Sequence, residues 1–385
     1  MKSKLLCLAI VACALSAAIL LPTCMAQEPA SAGWDENVYS AYLTDAQMGT
    51  ELMSKRADDR HPIASMVKIM TANLVMEEID AGRLGLDTMV TVSQTAAGMG
   101  GSQMFLDAGE SYSVSDLLKG VIVASANDAS VALAEQIDGS HEAFVAHMNA
   151  RAKEYGMENT LFCNATGLPS EEEQYSTARD VNCMTRKLMQ HELYFRYAQI
   201  PMEDYTHPSG RVTQLVNTNK LLRGYQGCKG GKTGFTDAAG FCLSACAERN
   251  GLSAVATVIG APDSKTRFRA VSKLWDYAFA HYENKLVLKQ DQPCDYTVPV
   301  SKSACKQMPI APEHDLRILM PKGAEAVEPE YQIPERISAP VKRGDVIGKA
   351  VVRYDGQTYT VNLIACQDAP KYTWWESLKN IVSQW

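Results

Sequence analysis

The apolar positions along this chain change their period several times. Near both ends of the first 282 residues they alternate or run continuously, which is typical of strands, and between these ends they recur at helical spacing. Strands are predicted over 38–43, 50–55, 241–247 and 252–259, and Lys232 to Gly234 is expected at the start of an inner strand. Helices are predicted from Ser65 to about Gly82, as a pair within 111–137, and over 141–155, 177–191 and 267–282. The pattern predicts an α+β fold in which helices accompany an antiparallel sheet.

Turn and cap signals place several boundaries. Residues 45–49 (DAQMG) join the first two strands as a hairpin, and Asn250-Gly251 is a strong hairpin turn between the later two. Ser113 with Asp116 opens one helix in the manner of a capping box. Residues 177–180 (TARD) give a second capping signal, which we interpret as structural. Ser125 and Asn127 are then expected on the short connection between two helices.

Beyond residue 283 the pattern becomes entirely strand-like. Short β-rich runs at 286–289, 296–300, 316–320, 346–353 and 358–364 are separated by Pro and Gly, and Asp355-Gly356 marks a turn. A small all-β domain is predicted over 283–368, following an α+β domain over 34–282. No cluster of titratable residues stands out in the second domain, so we expect it to hold or place the first.

The first 26 residues predict an export signal. A short basic region is followed by apolar residues 5–21, with small residues near position 26 and again near 32. This succession is typical of a secretory signal peptide cleaved near 26 or, alternatively, near 32. A retained membrane anchor is the other interpretation of the same apolar run. A lipoprotein anchor on Cys24 fits less well, because Pro22 and Thr23 precede it.

The last residues, 370–385, predict an amphipathic helix. Its apolar stripe is too short to cross a bilayer and carries three tryptophans, which favour the membrane interface. We expect this segment to lie on the outer face of the cytoplasmic membrane, or else to pack on the β domain. The stripe consists of Trp374, Trp375, Leu378, Ile381, Val382 and Trp385.

Composition narrows the classes of function. The chain is 46% hydrophobic and 21% charged, with a net charge of −7, and loss of the first 26 residues leaves 35 basic against 44 acidic residues. This acidic balance argues against a nucleic-acid partner. The seven histidines form no His-Glu-x-x-His or serine-protease arrangement. No metal and no cofactor is expected.

Eleven cysteines become eight when the signal is removed. Their spacing fits no zinc site, and Cys242 and Cys246 share one face of a strand but are too far apart to bond each other comfortably. We interpret the cysteines before residue 283 as small buried apolar residues. A bridge between two of Cys294, Cys305 and Cys366 is left open by the sequence.

The candidate chemistry starts from Ser65 and Lys68. Three residues are nearly one helical turn, so the two side chains share a face. A serine hydroxyl becomes a useful nucleophile when a neighbouring group takes its proton, and a lysine amine in a dry pocket can do so. The pair alone is common on solvated helix faces, so it needs partners elsewhere.

Those partners are Ser125-Ala126-Asn127 and Lys232-Thr233-Gly234, in that order. The set Ser-x-x-Lys, Ser-x-Asn and Lys-Thr-Gly is known from penicillin-binding proteins and class A β-lactamases. The chain resembles the D-alanyl-D-alanine carboxypeptidases of the low-molecular-mass penicillin-binding proteins (serine peptidases of the S11 type). The resemblance covers about 37–368. It includes the stretches 62–71 (PIASMVKIMT), 125–129 (SANDA), 164–168 (NATGL), 176–180 (STARD) and 231–240 (GKTGFTDAAG).

The resemblance implies a penicillin-binding, β-lactamase-like transpeptidase domain and an acyl-transfer site. Ser65 would attack a peptide bond of a peptidoglycan stem ending in D-Ala-D-Ala, Lys68 would accept its proton, and Ser125 would relay a proton to the leaving D-alanine. β-Lactams would be covalent inhibitors. Substrate contacts are implied for Asn127, which would also hold Lys68, for Lys232, Thr233, Gly234 and Phe235, and for Arg267, although a surface arginine is the alternative for the last. The backbone N–H groups of Ser65 and Phe235 would form the oxyanion hole.

Two other functions share these motifs. A serine β-lactamase needs a base for deacylation, but no Glu-x-x-Leu-Asn occurs between the second and third motifs, and the run 171–173 (EEE) is expected to be a solvated loop. The β domain also argues against a β-lactamase. A non-catalytic protein that binds penicillin or peptidoglycan is the other alternative, and the intact Ser65, Lys68, Ser125 and Lys232 argue against it.

Overall fold

The computed structural model describes residues 34–376. The predicted signal segment and the part of the predicted tail helix beyond 376 lie outside the described residues. The strands of the first region are β1 (Ser40–Asp45), β2 (Glu51–Lys55), β3 (Met89–Thr91), β4 (Ser111–Ser113), β5 (Met202–Thr206), β6 (Val212–Val216), β7 (Cys228–Thr236), β8 (Gly240–Arg249) and β9 (Leu252–Ala261). Its helices are α1 (Lys68–Asp80), α2 (Gln94–Ala97), α3 (Val114–Lys119), α4 (Asn127–Asp138), α5 (His141–Glu154), α6 (Ala178–Leu188), α7 (Glu192–Ala198), α8 (Leu221–Gly224) and α9 (Ser264–His281).

The main sheet lies between two helical layers. Its strands pair antiparallel in the order β2, β1, β9, β8, β7. One face packs on α9, where Leu274 and Trp275 are fully buried against Leu243 and Val258. The other face packs on a larger apolar cluster that contains α1, α4 and α6. The α+β architecture predicted from the sequence is confirmed.

Local chemistry explains several element boundaries. Asn250 (φ 51°) and Gly251 (φ 78°) both lie in the left-handed region, as a two-residue hairpin turn of type I′ requires. Ser113 accepts a hydrogen bond from the amide of Asp116 at the start of α3, and Thr177 does the same for Asp180 at the start of α6. The hairpin turn and both predicted caps are confirmed.

The C-terminal region contains only strands up to residue 365. They are β10 (Tyr282–Leu288), β11 (Thr297–Ser301), β12 (Gln307–Pro312), β13 (Leu316–Pro321), β14 (Glu330–Gln332), β15 (Ile337–Ser338), β16 (Val346–Tyr354) and β17 (Gln357–Ala365). One sheet has the order β14, β16, β17, β12, β11, β15, and β10 pairs with β13. The predicted all-β character of this region is confirmed.

One prediction about the main sheet is wrong. Lys232, Thr233 and Gly234 do not begin an inner strand, because β7 forms the edge of the sheet and the triplet lies in its middle. Residues 230–234 are nevertheless buried, since α7 and the turn that carries Ser65 cover the strand.

The eight described cysteines are free thiols. The amide of Cys294 donates to the carbonyl of Ile310, and that of Cys366 donates to the carbonyl of Pro309. Successive carbonyls of a strand point to opposite sides, so Cys294 and Cys366 flank β12 with the whole strand between them. This arrangement separates Cys294 from Cys366, which is one of the pairs that the sequence left open.

Candidate active site

Ser65 lies on a tight turn before helix α1. The 3₁₀ turn Ala64–Val67 leads directly into α1, and Ala64 has a φ of 48°, which is unusual for a residue other than glycine. Ser65 remains partly exposed, whereas Lys68 is 1% exposed. The Lys68 Nζ lies 3.1 Å from the Ser65 Oγ. The predicted Ser65 and Lys68 side chains therefore meet, at the mouth of a buried pocket.

The environment of Lys68 favours the neutral amine. Burial holds the pKa of Lys68 well below its usual range, and the nearby Lys232 lowers it further, against a smaller opposing effect of Asp128. The Lys68 Nζ also donates to the carbonyl oxygen of Thr166 at 2.6 Å. This carbonyl holds the amine beside Ser65, so Lys68 is in position to accept the proton of the Ser65 hydroxyl.

Residues 164–168 form a rigid loop behind Lys68. The Asn164 Oδ1 accepts hydrogen bonds from the backbone amides of Thr166 and Gly167 at 3.1 and 2.7 Å, and from the Thr166 hydroxyl. Gly167 has a φ of 80°, and a Cβ on it would lie 2.0 Å from the carbonyl oxygen of Ala64. Glycine is therefore required where this loop approaches the backbone just before Ser65.

Ser125 enters the site from the opposite side. A π-helical turn, Gly120–Ala124, ends at Ser125, whose φ of 61° lies in the left-handed region. Such turns and strained residues are frequent at functional sites. Ser125 is 3% exposed, and its Oγ accepts a hydrogen bond from the Lys232 Nζ at 2.7 Å.

Asn127 differs from the role that the resemblance implied. It is the first residue of α4 rather than part of the connection, which is limited to Ser125 and Ala126. Its Nδ2 donates to the carbonyl of Gly100 at 2.6 Å, and Lys68 is held by Ser65 and Thr166 instead. Its Oδ1 is buried without a hydrogen-bond partner among residues 34–376.

Strand β7 completes the site along one edge. Thr233 donates its hydroxyl to the Thr218 hydroxyl at 2.8 Å. A Cβ on Gly234 would lie 2.6 Å from the carbonyl oxygen of Ile63, so only glycine lets the strand approach the Ser65 turn this closely. Phe235 is 50% exposed and its ring packs against Phe241 with centroids 4.3 Å apart.

The cations of the site are buried close together. Burial, and secondarily Arg267, lower the pKa of Lys232 to about 7. Arg267 is 7% exposed, which contradicts the surface alternative, and burial lowers its pKa to about 10. Its Nη1 donates to the carbonyls of Gly234 (3.1 Å) and Cys242 (3.3 Å). Arg267 thus supports β7 from behind and adds positive potential to a site suited to an anionic group.

The sequence did not single out every residue that builds this site. Thr166 acts through its carbonyl oxygen and Gly167 through the absence of a side chain, and neither role has a side-chain signature. Asp128 is fully buried and accepts hydrogen bonds from the amides of Met104 and Leu106. For Asp128, the sequence held one indication of a role in the site, which was its position directly after Asn127 within the 125–129 stretch.

The acidic run of residues 171–173 lies away from this chemistry. All three glutamates are exposed, and the Glu172 carboxylate accepts a weak hydrogen bond from the thiol of Cys163. Among residues 34–376, no glutamate is hydrogen-bonded to Ser65 or Lys68. The prediction of a solvated loop is confirmed.

Comparison with protein families decides the identity. Residues 25–263 match the S11 peptidase model, described as D-alanyl-D-alanine carboxypeptidase, and residues 282–371 match the penicillin-binding protein 5 C-terminal domain. The chain belongs to the S11 D-alanyl-D-alanine carboxypeptidase family. Members of this family are serine-type hydrolases, so the predicted class of enzyme is confirmed.

Individual relatives in the family match nearly the whole chain. D-alanyl-D-alanine carboxypeptidase DacF of Bacillus subtilis is 39% identical over 350 residues, 90% of this chain and 89% of the relative. DacC of Escherichia coli is 32% identical over 349 residues, 88% and 86% of the two chains. The crystal structure of penicillin binding protein 5 from Haemophilus influenzae is 31% identical, has a TM-score of 0.67, and is matched over 88% of this chain and 98% of that one.

Proposed function

We propose that Ser65 is the nucleophile with which this carboxypeptidase removes the terminal D-alanine from peptidoglycan stem peptides. The observation that carries the proposal is the buried Lys68 amine, whose Nζ lies 3.1 Å from the Ser65 Oγ, is held by the Thr166 carbonyl and has a pKa well below its usual range. Lys68 takes the hydroxyl proton as Ser65 attacks the carbonyl carbon of the D-Ala-D-Ala bond. Release of free D-alanine from an N-acylated peptide ending in D-Ala-D-Ala, but not from its L-Ala-L-Ala counterpart, tests this function.

The later steps use the other two motifs. The tetrahedral intermediate collapses when the proton that Lys68 took from Ser65 passes through Ser125 to the leaving nitrogen, which breaks the C–N bond and returns Lys68 to the neutral amine. The Ser125 hydroxyl is hydrogen-bonded to Lys232. D-Alanine departs and leaves an ester on Ser65. Water then attacks the ester, the shortened peptide leaves as a carboxylic acid, and the Ser65 hydroxyl is restored. The backbone amides of Ser65 and Phe235 are our candidates for the oxyanion hole.

Lys232 and Thr233 are our candidates for binding the terminal carboxylate. Lys232→Ala should lower kcat/KM for a free-acid D-Ala-D-Ala peptide by about 10- to 100-fold, as expected for loss of a charged hydrogen bond. The acylation rate with penicillin, which also carries a carboxylate, should fall as well. A peptide amidated at its terminal D-Ala should react poorly with the native enzyme and lose much less upon mutation.

The control for this experiment is Lys229→Ala. Lys229 lies on the same strand but pairs with Glu248 at the surface, so its loss should affect neither peptide. Equal turnover of the free-acid and amidated peptides by the native enzyme would show that Lys232 does not recognise the carboxylate.

The pKa of Lys232, about 7, predicts a pH dependence of substrate binding. Below pH 7 the free enzyme carries the Lys232 cation, and above it the amine becomes neutral. The apparent KM for the free-acid peptide should therefore rise between pH 6 and 8.5, by up to about tenfold per pH unit above the pKa. The amidated peptide should show no such rise, and a parallel rise for both peptides would contradict the assignment.

We further propose that the enzyme works outside the cytoplasmic membrane and lies on its outer face through residues 370–385. Within residues 34–376 there is no helix with the length and apolar character needed to cross a bilayer. Trp374 and Trp375, at the start of the segment, are 68% and 67% exposed. Exposed tryptophans are typical of the membrane interface.

Deletion of residues 370–385 should move the enzyme from the membrane to the soluble fraction, because the apolar stripe provides the contact. Sedimentation of the full-length and truncated proteins with washed membranes measures this. Tyr296→Ala is the control, since it removes another exposed aromatic ring of the C-terminal region. If the truncated protein still sediments after confirmed signal cleavage, the tail is not the anchor.

A further inference from the structure

Phe105 has an unusual conformation in the loop between α2 and β4. Its φ is 63°, in the left-handed region that bulky side chains avoid, and its side chain is 53% exposed. An aromatic residue at such a position normally relaxes or is buried. A strained residue persists only where its surroundings hold it, and such residues cluster at ligand-binding sites.

The surroundings hold Phe105 from both sides. The amides of Met104 and Leu106 donate to the two carboxylate oxygens of Asp128 at 3.2 and 3.0 Å. The Phe105 carbonyl accepts a hydrogen bond from Arg211, which also forms an ion pair with Asp107 at 2.7 Å. Asp128 is fully buried and Arg211 comes from the β5–β6 hairpin. Two separate elements therefore fix the backbone while leaving the ring in solvent.

The same loop borders the active site. The Asn127 amide donates to the carbonyl of Ser102 at 2.7 Å, and the Asn127 Nδ2 donates to that of Gly100. Asn127 is two residues from Ser125. Phe105 follows Ser102 by three residues, so its Cα lies at most about 11 Å from that of Ser102. An extended peptide covers this distance in roughly three residues.

We infer that Phe105 is a specificity-determining contact for the part of the stem peptide that precedes its terminal D-Ala-D-Ala unit. The inference rests on the proposed function. The exposed ring supplies an apolar surface that fits the aliphatic part of a stem-peptide side chain. Asp128 and Arg211 are positioning residues, which act by presenting the ring at a fixed place. Contact with the ring selects longer stem peptides over the bare D-Ala-D-Ala unit.

The test compares two substrates in Phe105→Ala. For an N-acylated pentapeptide ending in D-Ala-D-Ala, kcat/KM should fall about tenfold, mainly through KM. For the N-acylated D-Ala-D-Ala dipeptide, which does not reach the ring, the fall should be less than twofold. Phe105→Tyr keeps the aromatic surface and should retain the native preference. Arg211→Ala should give a smaller loss that is again selective for the longer peptide.

Val212→Ala is the matched control. Val212 is 58% exposed on the neighbouring hairpin. The Val212→Ala substitution therefore removes an exposed apolar side chain outside the Phe105 contact. Equal losses for both peptides in Phe105→Ala, or no loss for either, would overturn the inference. Failure of the native enzyme to release D-alanine from either peptide would instead overturn the proposed function.

Discussion

Ser65→Ala is expected to abolish both the release of D-alanine and the covalent reaction with penicillin. The substitution removes the hydroxyl oxygen that lies 3.1 Å from the Lys68 Nζ, so no acyl-enzyme can form at residue 65. Loss of a covalent nucleophile usually lowers kcat by about five to six orders of magnitude. Turnover of an N-acylated D-Ala-D-Ala peptide and labelling by a fluorescent penicillin measure the two activities.

The fold should tolerate this change. Ser65 is partly exposed, and alanine fits the turn, so the thermal unfolding transition should stay close to that of the native protein. Ser170→Ala, in the exposed loop before residues 171–173, is the control and should keep full activity. Substantial peptide turnover by Ser65→Ala would assign the nucleophile to another residue.

Lys68→Ala is expected to slow acylation of Ser65 by about two to four orders of magnitude, the usual contribution of a general base. Pre-steady-state labelling with penicillin measures the acylation rate directly. Because the pKa of Lys68 is held well below its usual range, the native rate at saturating penicillin should fall on the acid side, as pH drops through that lowered value. Lys68→Ala should lose this acid limb.

Lys68→Arg separates basicity from charge in the same experiment. An arginine carries a permanent positive charge and cannot accept a proton, so it should be as slow as alanine. Acylation by the arginine variant at near-native rate would show that positive charge, rather than proton acceptance, is what Lys68 provides.

The sequence predicted the parts of the site that depend on side-chain identity at fixed local spacing. Ser65 and Lys68 are one helical turn apart, so any helix brings them together, and the family motifs supplied Ser125 and Lys232. The Asn127 contact was not predictable because it depends on how the loop at Gly100 folds over α4. The contact between Lys68 and the Thr166 carbonyl was not predicted either, because every residue has a backbone carbonyl and the sequence does not single one out.

The predicted strands agree best where the apolar pattern is strong. Strand β12 was missed because Pro309 and Pro312 argue against an inner strand, yet it lies between β11 and β17. The β5–β6 hairpin was missed because its strands are largely exposed and its apolar alternation is weak. The edge position of β7 was not predicted either, because tertiary contacts bury this strand as if it were an inner one.

The absence of a glutamate hydrogen-bonded to Ser65 or Lys68 among residues 34–376 bears on the β-lactamase alternative. After β-lactam ring opening the leaving group stays tethered and hinders the attack of water. Without a dedicated base to activate that water, the acyl-enzyme should persist. A carboxypeptidase is then inhibited by penicillin, whereas a β-lactamase would hydrolyse it.

Peptide mapping by mass spectrometry, after incubation of the mature enzyme with a penicillin, locates the nucleophile. We expect one lasting adduct, with the mass of the intact penicillin, on Ser65. Parallel incubation with a D-Ala-D-Ala peptide should release D-alanine. An adduct on a different serine would contradict the assigned nucleophile, and rapid hydrolysis of penicillin without a lasting adduct would identify a β-lactamase instead.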